Sequence, residues 1–153
     1  LTACTALDLS TGARQALGGV ATFYPAVDYP ERHWPSYSEQ ARSGPLTTNL
    51  MRWFWNIYLG DTPPAEAMLA RPLQSNRLGE LPPLFNITAE RDPLRDEGQA
   101  FAEAAASQGV DVRHRHFPGA AHGFACSEGP TEDFNHFIAD FCQWIASLEQ
   151  KNG

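Results

Sequence analysis

Apolar residues in this chain fall into two kinds of stretch: short unbroken runs, and longer ones in which they return every three or four positions. The first kind predicts buried strands and the second predicts amphipathic helices. LTACTALDL, at the start, reads as a helix already under way, since no Ser, Thr, Asp or Asn stands ahead of Leu1 to cap it. STGARQALGG follows as a polar, Gly-rich connection. VATFYPAVDY holds a short β-rich run ended by Pro25, which predicts a first strand at about Val20–Tyr24. Beyond a loop rich in Pro, Tyr and Trp, NLMRWFWNIYLGD repeats Leu50, Trp53, Phe54, Ile57 and Tyr58 at helical spacing and stops at Gly60. PPLFNITAE predicts a buried strand at about Leu84–Ala89. DPLRDEGQAFAEAAASQG predicts a helix with Asp92 at the cap, Pro93 in the first turn and Gly109 at the stop. DVRHRHFP is a third strand. From about Thr131 to Leu148, Phe134, Phe137, Ile138, Phe141, Trp144, Ile145 and Leu148 mark the strongest amphipathic helix of the chain.

Helices and strands therefore alternate, which predicts an α/β fold with parallel pairing and right-handed crossovers. In such sheets ligands and chemistry gather beyond the carboxyl ends of the strands. The 153 residues make one domain's worth of chain, in which residues 30–80 form a helical and loop insertion between the first two strands. No run approaches the ~20 apolar residues of a membrane span, and no signal-peptide pattern opens the chain. Cys4, Cys126 and Cys142 are an odd number without metal-ligand spacing, and read as reduced thiols of a cytoplasmic protein. Cys126–Cys142 pairing is the less expected alternative.

The charge is lopsided. Residues 1–77 carry six Arg and six Asp or Glu, whereas residues 78–153 carry five Lys or Arg against twelve acids, so the whole net charge of −7 lies in the second half. Nucleic acid is excluded as a partner by the lack of clustered cations, and a solvated acidic surface explains the excess.

Candidate chemistry concentrates between Ala89 and Phe124. Asp92 stands just past one apolar run and His122 just past the next, so both can emerge at one rim of a parallel sheet. An Asp before Pro is, taken alone, a standard helix cap, and a lone loop His is usually just that. Together they form two thirds of a nucleophilic apparatus. The missing third is a nucleophile, for no serine here sits in a G-x-S-x-G elbow. His114 and His116 form an H-x-H pair on one strand face, but without a third ligand at useful spacing they read as partly exposed strand residues, and no metal is expected. Trp53, Phe54 and Trp55 either line an apolar pocket or pack inward, packing being expected for at least one.

The segments ERDPLRDEGQAFAE and FPGAAHGF resemble the C-terminal half of the hormone-sensitive-lipase-like esterases of the α/β-hydrolase superfamily. FYPAVDY, MRWFWNIYLGD and LPPLFNITAERDPLRDEG resemble that family's segments in the same order, so the resemblance covers nearly the whole chain. DPLRDEG with HGF thirty positions later (122 − 92) is its most specific part. The resemblance implies Asp92 as triad acid and His122 as triad base. It also implies that Leu50, Met51 and Phe54 shape an acyl pocket, with Phe124 beside the histidine as a further substrate contact.

It further implies that Leu1 lies just past the nucleophile, so that this chain holds the last three of the family's eight strands. The serine and the oxyanion donors would then sit on an N-terminal half, as a companion segment covering the otherwise open edge of the first strand. The function expected is hydrolysis of short-chain carboxylic esters by a serine nucleophile, without cofactor or membrane. The rival reading is a decayed, non-catalytic hydrolase module acting in interaction or regulation. A peptidase or lactonase on the same scaffold is a third. A homodimer through the last strand and neighbouring helix is an expectation by analogy alone.

Overall fold

The computed structural model describes residues 1–30, 34–42, 44–64, 66–67, 70–126 and 131–152. The elements run α1 (Thr2–Asp8), α2 (Thr11–Gln15), β1 (Val20–Phe23), α3 (Pro35–Glu39), α4 (Thr48–Leu59), β2 (Leu84–Arg91), α5 (Arg95–Ser107), β3 (Val112–Ala121) and α6 (Glu132–Asn152). The three strands form one parallel sheet in the order β1-β2-β3, in the register Val20↔Leu84↔Val112. The expected α/β architecture is present.

β2 is the spine because its sequence tolerates burial on both faces. Leu84 to Ala89 are all fully buried. Leu84 joins Val20, Ala3, Ala6, Phe101 and Ala105 on the side covered by α1 and α5. Phe85, Ile87 and Ala89 join Phe117, Phe137 and Trp144 under α6. The polar members of the strand are bonded rather than stranded, as buried polar groups must be. Thr22 Oγ1 donates to Asn86 Oδ1 at 2.8 Å, and Asn86 Nδ2 donates to Gly98 O at 3.0 Å and reaches His114 Nδ1 at 2.8 Å. His114 is thus an acceptor at Nδ1, and burial lowers its pKa. His116 Nδ1 lies 3.1 Å from Thr88 Oγ1. The H-x-H pair therefore extends a side-chain ladder across the sheet, and among the described residues no group of three His, Cys, Asp or Glu could hold a metal.

Several expectations need correction. The polar connection after α1 contains a five-residue helix, α2, whose first turn is capped by Ser10 accepting from Ala13 N–H at 3.4 Å. Helix α5 starts at Arg95 rather than at Asp92. On α4 the inward face is Thr48, Met51 and Trp55, while the stripe of Leu50, Trp53, Phe54, Ile57 and Tyr58 faces out. On α6, Phe137 and Trp144 are buried but Ile138 and Ile145 are exposed. The thiols are as expected: Cys4, Cys126 and Cys142 are all free. Among the described residues no helix is long and apolar enough to cross a membrane.

The segment between β1 and β2 is anchored beside the site. Tyr37, Leu46, Met51 and Trp55 pack with Leu94, two residues past Asp92. Ser36 Oγ donates to Pro93 O at 2.6 Å, and Ser36 N–H donates to Asp96 Oδ2 at 2.8 Å.

Helix α5 lies unusually close to the sheet at Gly98, where an added Cβ would sit 2.8 Å from Thr88 Cγ2. Helix propensity alone favours alanine over glycine by ~0.8–1 kcal/mol. Overpacking a fixed core typically costs about 1–3 kcal/mol. The clash should win, so Gly98→Ala is expected to destabilise the fold by roughly 1 kcal/mol in urea unfolding. A stabilised variant would contradict the close approach.

Candidate active site

The end of β2 and the end of β3 would not meet usefully if the register ran on unchanged. Ala89 pairs with Phe117, an offset of 28, and Arg91 pairs with Ala121, an offset of 30. Two extra residues therefore bulge from β3 opposite Glu90. Gly119, at φ 75°, makes the bend that few other residues could make. Its N–H donates to the Glu90 carboxylate and its carbonyl accepts from Arg91 Nε at 2.9 Å. Without the bulge, Asp92 would face residue 120 (92 + 28), a buried alanine. With it, His122 stands across from Asp92.

Asp92 uses both oxygens. Oδ1 accepts the Leu94 N–H at 2.9 Å, and the Asp92 carbonyl accepts the Arg95 N–H at 3.1 Å, so the residue still turns the chain into α5. Oδ2 lies 2.8 Å from His122 Nδ1. The side chain of Asp92 is 1% exposed and that of His122 is 27% exposed. An ionised carboxylate can only accept, so the proton of this bond sits on Nδ1 and leaves Nε2 as the free lone pair. Asp92 thus serves both the turn that leads into α5 and His122, with one side-chain oxygen for each.

Two neighbours were not singled out by sequence. Tyr24, just past β1, lays its ring 5.0 Å from that of His122, and its hydroxyl accepts the Ala125 N–H at 2.8 Å. Burial pushes this hydroxyl up to about 12. Glu97, one turn into α5, is fully buried, with Oε1 accepting the Val27 N–H at 3.0 Å and Oε2 accepting from the Tyr37 hydroxyl at 3.2 Å. Burial holds its carboxyl well above the usual range, outweighing those hydrogen bonds, and Asp28 and Asp92 push the same way. The signal of Glu97 in the sequence was only the DEG triplet after DPLR, which carries no hint of burial.

The other candidates scatter. Met51 is buried and Phe54 is half-exposed; both line an apolar pocket of about 400 Å³ with Leu1, Cys4, Ala26 and Trp55. Leu50 lies on the outer face of α4. Phe124 is buried between Phe117 and Tyr24, with ring centroids at 4.7 and 5.5 Å. The pocket is built from α1, α4 and the loop after β1, whereas Asp92 and His122 stand at the rim of β2 and β3. Geometry and hydrogen bonding, rather than cavity size, mark the pair as the candidate site.

Residues 1–126 match the family described as the alpha/beta hydrolase fold. The chain belongs to the α/β-hydrolase superfamily. Within it, the relatives are hormone-sensitive-lipase-like esterases. Esterase LipI of Mycobacterium tuberculosis is 30% identical over 71% of this chain and 35% of its own length. Lipase 2 of Moraxella sp. is 31% identical over 85% of this chain and 31% of its own. Among solved structures, a fungal esterase of Rhizomucor miehei superposes with a TM-score of 0.89 at 28% identity, covering 99% of this chain and 49% of that one. The esterase of the archaeon Pyrobaculum calidifontis gives 0.82 at 30% identity, covering 98% of this chain and 47% of that one. The chain therefore spans between 31% and 49% of the length of these four proteins.

The buried carboxyl makes a pH prediction. Its ordinary value is 4.5 and its folded value is well above that, so the neutral form is favoured by folding. Stability from Glu97 is full below the ordinary value and is lost as pH rises through the folded one. Glu97→Gln, neutral throughout, is expected to lack that decline and to be at least as stable near neutrality. Urea unfolding from pH 4 upward reads the difference, and parallel profiles for the two proteins would contradict it.

Proposed function

We propose that this hydrolase chain supplies the acid and the base of a serine-dependent carboxylic ester hydrolase. The observation that carries the reading is the 2.8 Å bond from His122 Nδ1 to a carboxylate closed to water, on a ring that itself stays partly exposed. A serine hydroxyl presented to Nε2 gives up its proton as its oxygen attacks the acyl carbon. The imidazolium so formed is stabilised by Asp92 and returns the proton to the departing alcohol oxygen. Water then repeats the two steps on the acyl-serine, with His122 again as base. No metal or organic cofactor enters this chemistry.

Serine and oxyanion donors lie, in this reading, on an N-terminal half that joins along β1. A groove of about 510 Å³ runs beside the free edge of that strand, between Leu1–Ala3 and Ala21–Val27, and fits an added strand. Residues 1–153 are then one partial domain, with residues 30–80 as an insertion between its first two strands. Short-chain acyl esters fit the largely apolar pocket beside Met51 and Phe54. The names of the relatives, esterases and a lipase, support the reaction class.

In the full-length protein, His122→Ala and Asp92→Asn are each expected to lower kcat by about 10⁴-fold, the latter because an amide presents the wrong hydrogen-bonding partner to Nδ1. Near-wild-type turnover in either would end the assignment. The 153-residue chain alone is expected to leave p-nitrophenyl acetate unhydrolysed above background, and hydrolysis abolished by His122→Ala would show a nucleophile within it.

A further inference from the structure

Strand β1 should deliver Tyr24 to the wrong side of the sheet. Val20 packs with Ala3, Ala6 and Phe101, and Thr22 bonds Asn86, so these two face α1 and α5. Phe23 meets the rings of Phe137 and Phe141 on the α6 side. Continued alternation would place Tyr24 with Val20 and Thr22. It lies instead in the α6-side cluster with Phe85, Ile87, Phe117 and Phe124. The backbone makes the switch at Tyr24 itself, whose φ of 45° is in the left-handed region, while its N–H still donates to Ile87 O at 3.0 Å. Among the described residues no other non-glycine has a positive φ. A bulky residue there is strained, and persists only where its surroundings over-determine it.

What the reversal delivers is a two-point grip on the His122 loop. The ring lies against the imidazole, centroids 5.0 Å apart and planes at 54°. The hydroxyl holds the Ala125 N–H three residues on, and the Phe124 ring closes on Tyr24 from the side at 5.5 Å. The ladder itself holds this loop loosely, for the His122 N–H reaches Arg91 O only at 3.4 Å. Asp92 fixes one ring atom, which leaves the imidazole free to pivot about that bond. A contact on its face removes the pivot.

We infer that Tyr24 is a positioning residue for His122, its ring and hydroxyl together holding the imidazole in the plane in which Nδ1 meets Asp92 and Nε2 faces the incoming hydroxyl. The inference rests on the proton-transfer reading of the Asp92–His122 pair, and adds to it an element from β1 that neither partner's own strand contains. The phenol does this as a neutral group, since burial keeps its proton on and so places no anion beside Asp92.

The test uses the full-length protein with Tyr24→Phe, which keeps the ring and drops the hydroxyl, Tyr24→Leu, which drops both, and His122→Ala. Two quantities are read below the onset of unfolding of the least stable variant. One is steady-state hydrolysis of p-nitrophenyl acetate. The other is the far-downfield proton resonance of an Nδ1–H bonded to carboxylate, assigned by its loss in His122→Ala. Tyr24→Phe is expected to lower kcat roughly tenfold with KM nearly unchanged, the scale of one hydrogen bond. Tyr24→Leu is expected to cost roughly a hundredfold, as small misplacements of a catalytic group do. The resonance should broaden in the first variant and vanish in the second. A purely structural tyrosine would lower the melting temperature and leave kcat and the resonance of the folded protein untouched, which would overturn the assignment. Wild-type turnover in His122→Ala would instead remove the proton-transfer reading, and the resonance alone would then decide Tyr24: lost in Tyr24→Leu, the positioning stands; unchanged in both, it falls.

Discussion

A carboxylate shut away from water must be bonded at every oxygen or become neutral, and Asp92 is the place where this chain meets that demand. One oxygen takes the Leu94 N–H and the other takes His122. The surrounding structure can be read as the set of conditions under which that second bond forms. The bulge at Gly119 corrects the register by two residues so that the imidazole arrives at the right height. Burial pushes the Glu97 carboxyl toward its neutral form, which opposes a second anion behind the acid. Tyr24 reverses its side of the sheet to lie on the imidazole. Each of these costs something locally, in strain, in a buried acid or in an irregular ladder. Such costs concentrate where geometry must be held rather than merely reached.

The scaffold makes this possible by having a central strand with no exposed side. Because β2 is buried on both faces, its carboxyl end is a fixed point from which Asp92 projects. Helix α5 packs closely on that strand at Gly98 and begins three residues after the acid, and the Leu94 N–H at its cap helps to orient the carboxylate. The segment between β1 and β2 is fastened to the same turn through Ser36 and Leu94. A displacement of α3 or α4 would therefore be felt at Asp92.

Much of this was legible in the residue pattern, for identifiable reasons. The strands were readable because Leu84–Ala89 is a short, mostly apolar run after two prolines and Val20–Tyr24 is closed by Pro25. Asp92 and His122 were readable because strand ends are where α/β sheets place chemistry, and two such residues at successive ends reinforce each other. Periodicity found α4 but named the wrong face. That helix is apolar on two sides, and only the partners Tyr37, Leu46 and Leu94 decide that Met51 and Trp55 go inward. Helix α2 is too short to show a period at all. Glu97 and Tyr24 were missed because their roles depend on partners 70 and 101 residues away in sequence, Val27 and Ala125. A left-handed tyrosine has no compositional signature.

The central claim is that the Asp92–His122 pair accepts a proton from a serine outside these 153 residues. The most direct measurement is a crystal structure of the full-length protein inactivated with a fluorophosphonate, which marks an activated serine covalently. The account predicts a single modified serine whose Oγ lies within about 3 Å of His122 Nε2, hydrogen-bond reach for a general base. A modified serine out of reach of His122, or an imidazole turned away from Asp92 in that complex, would contradict it.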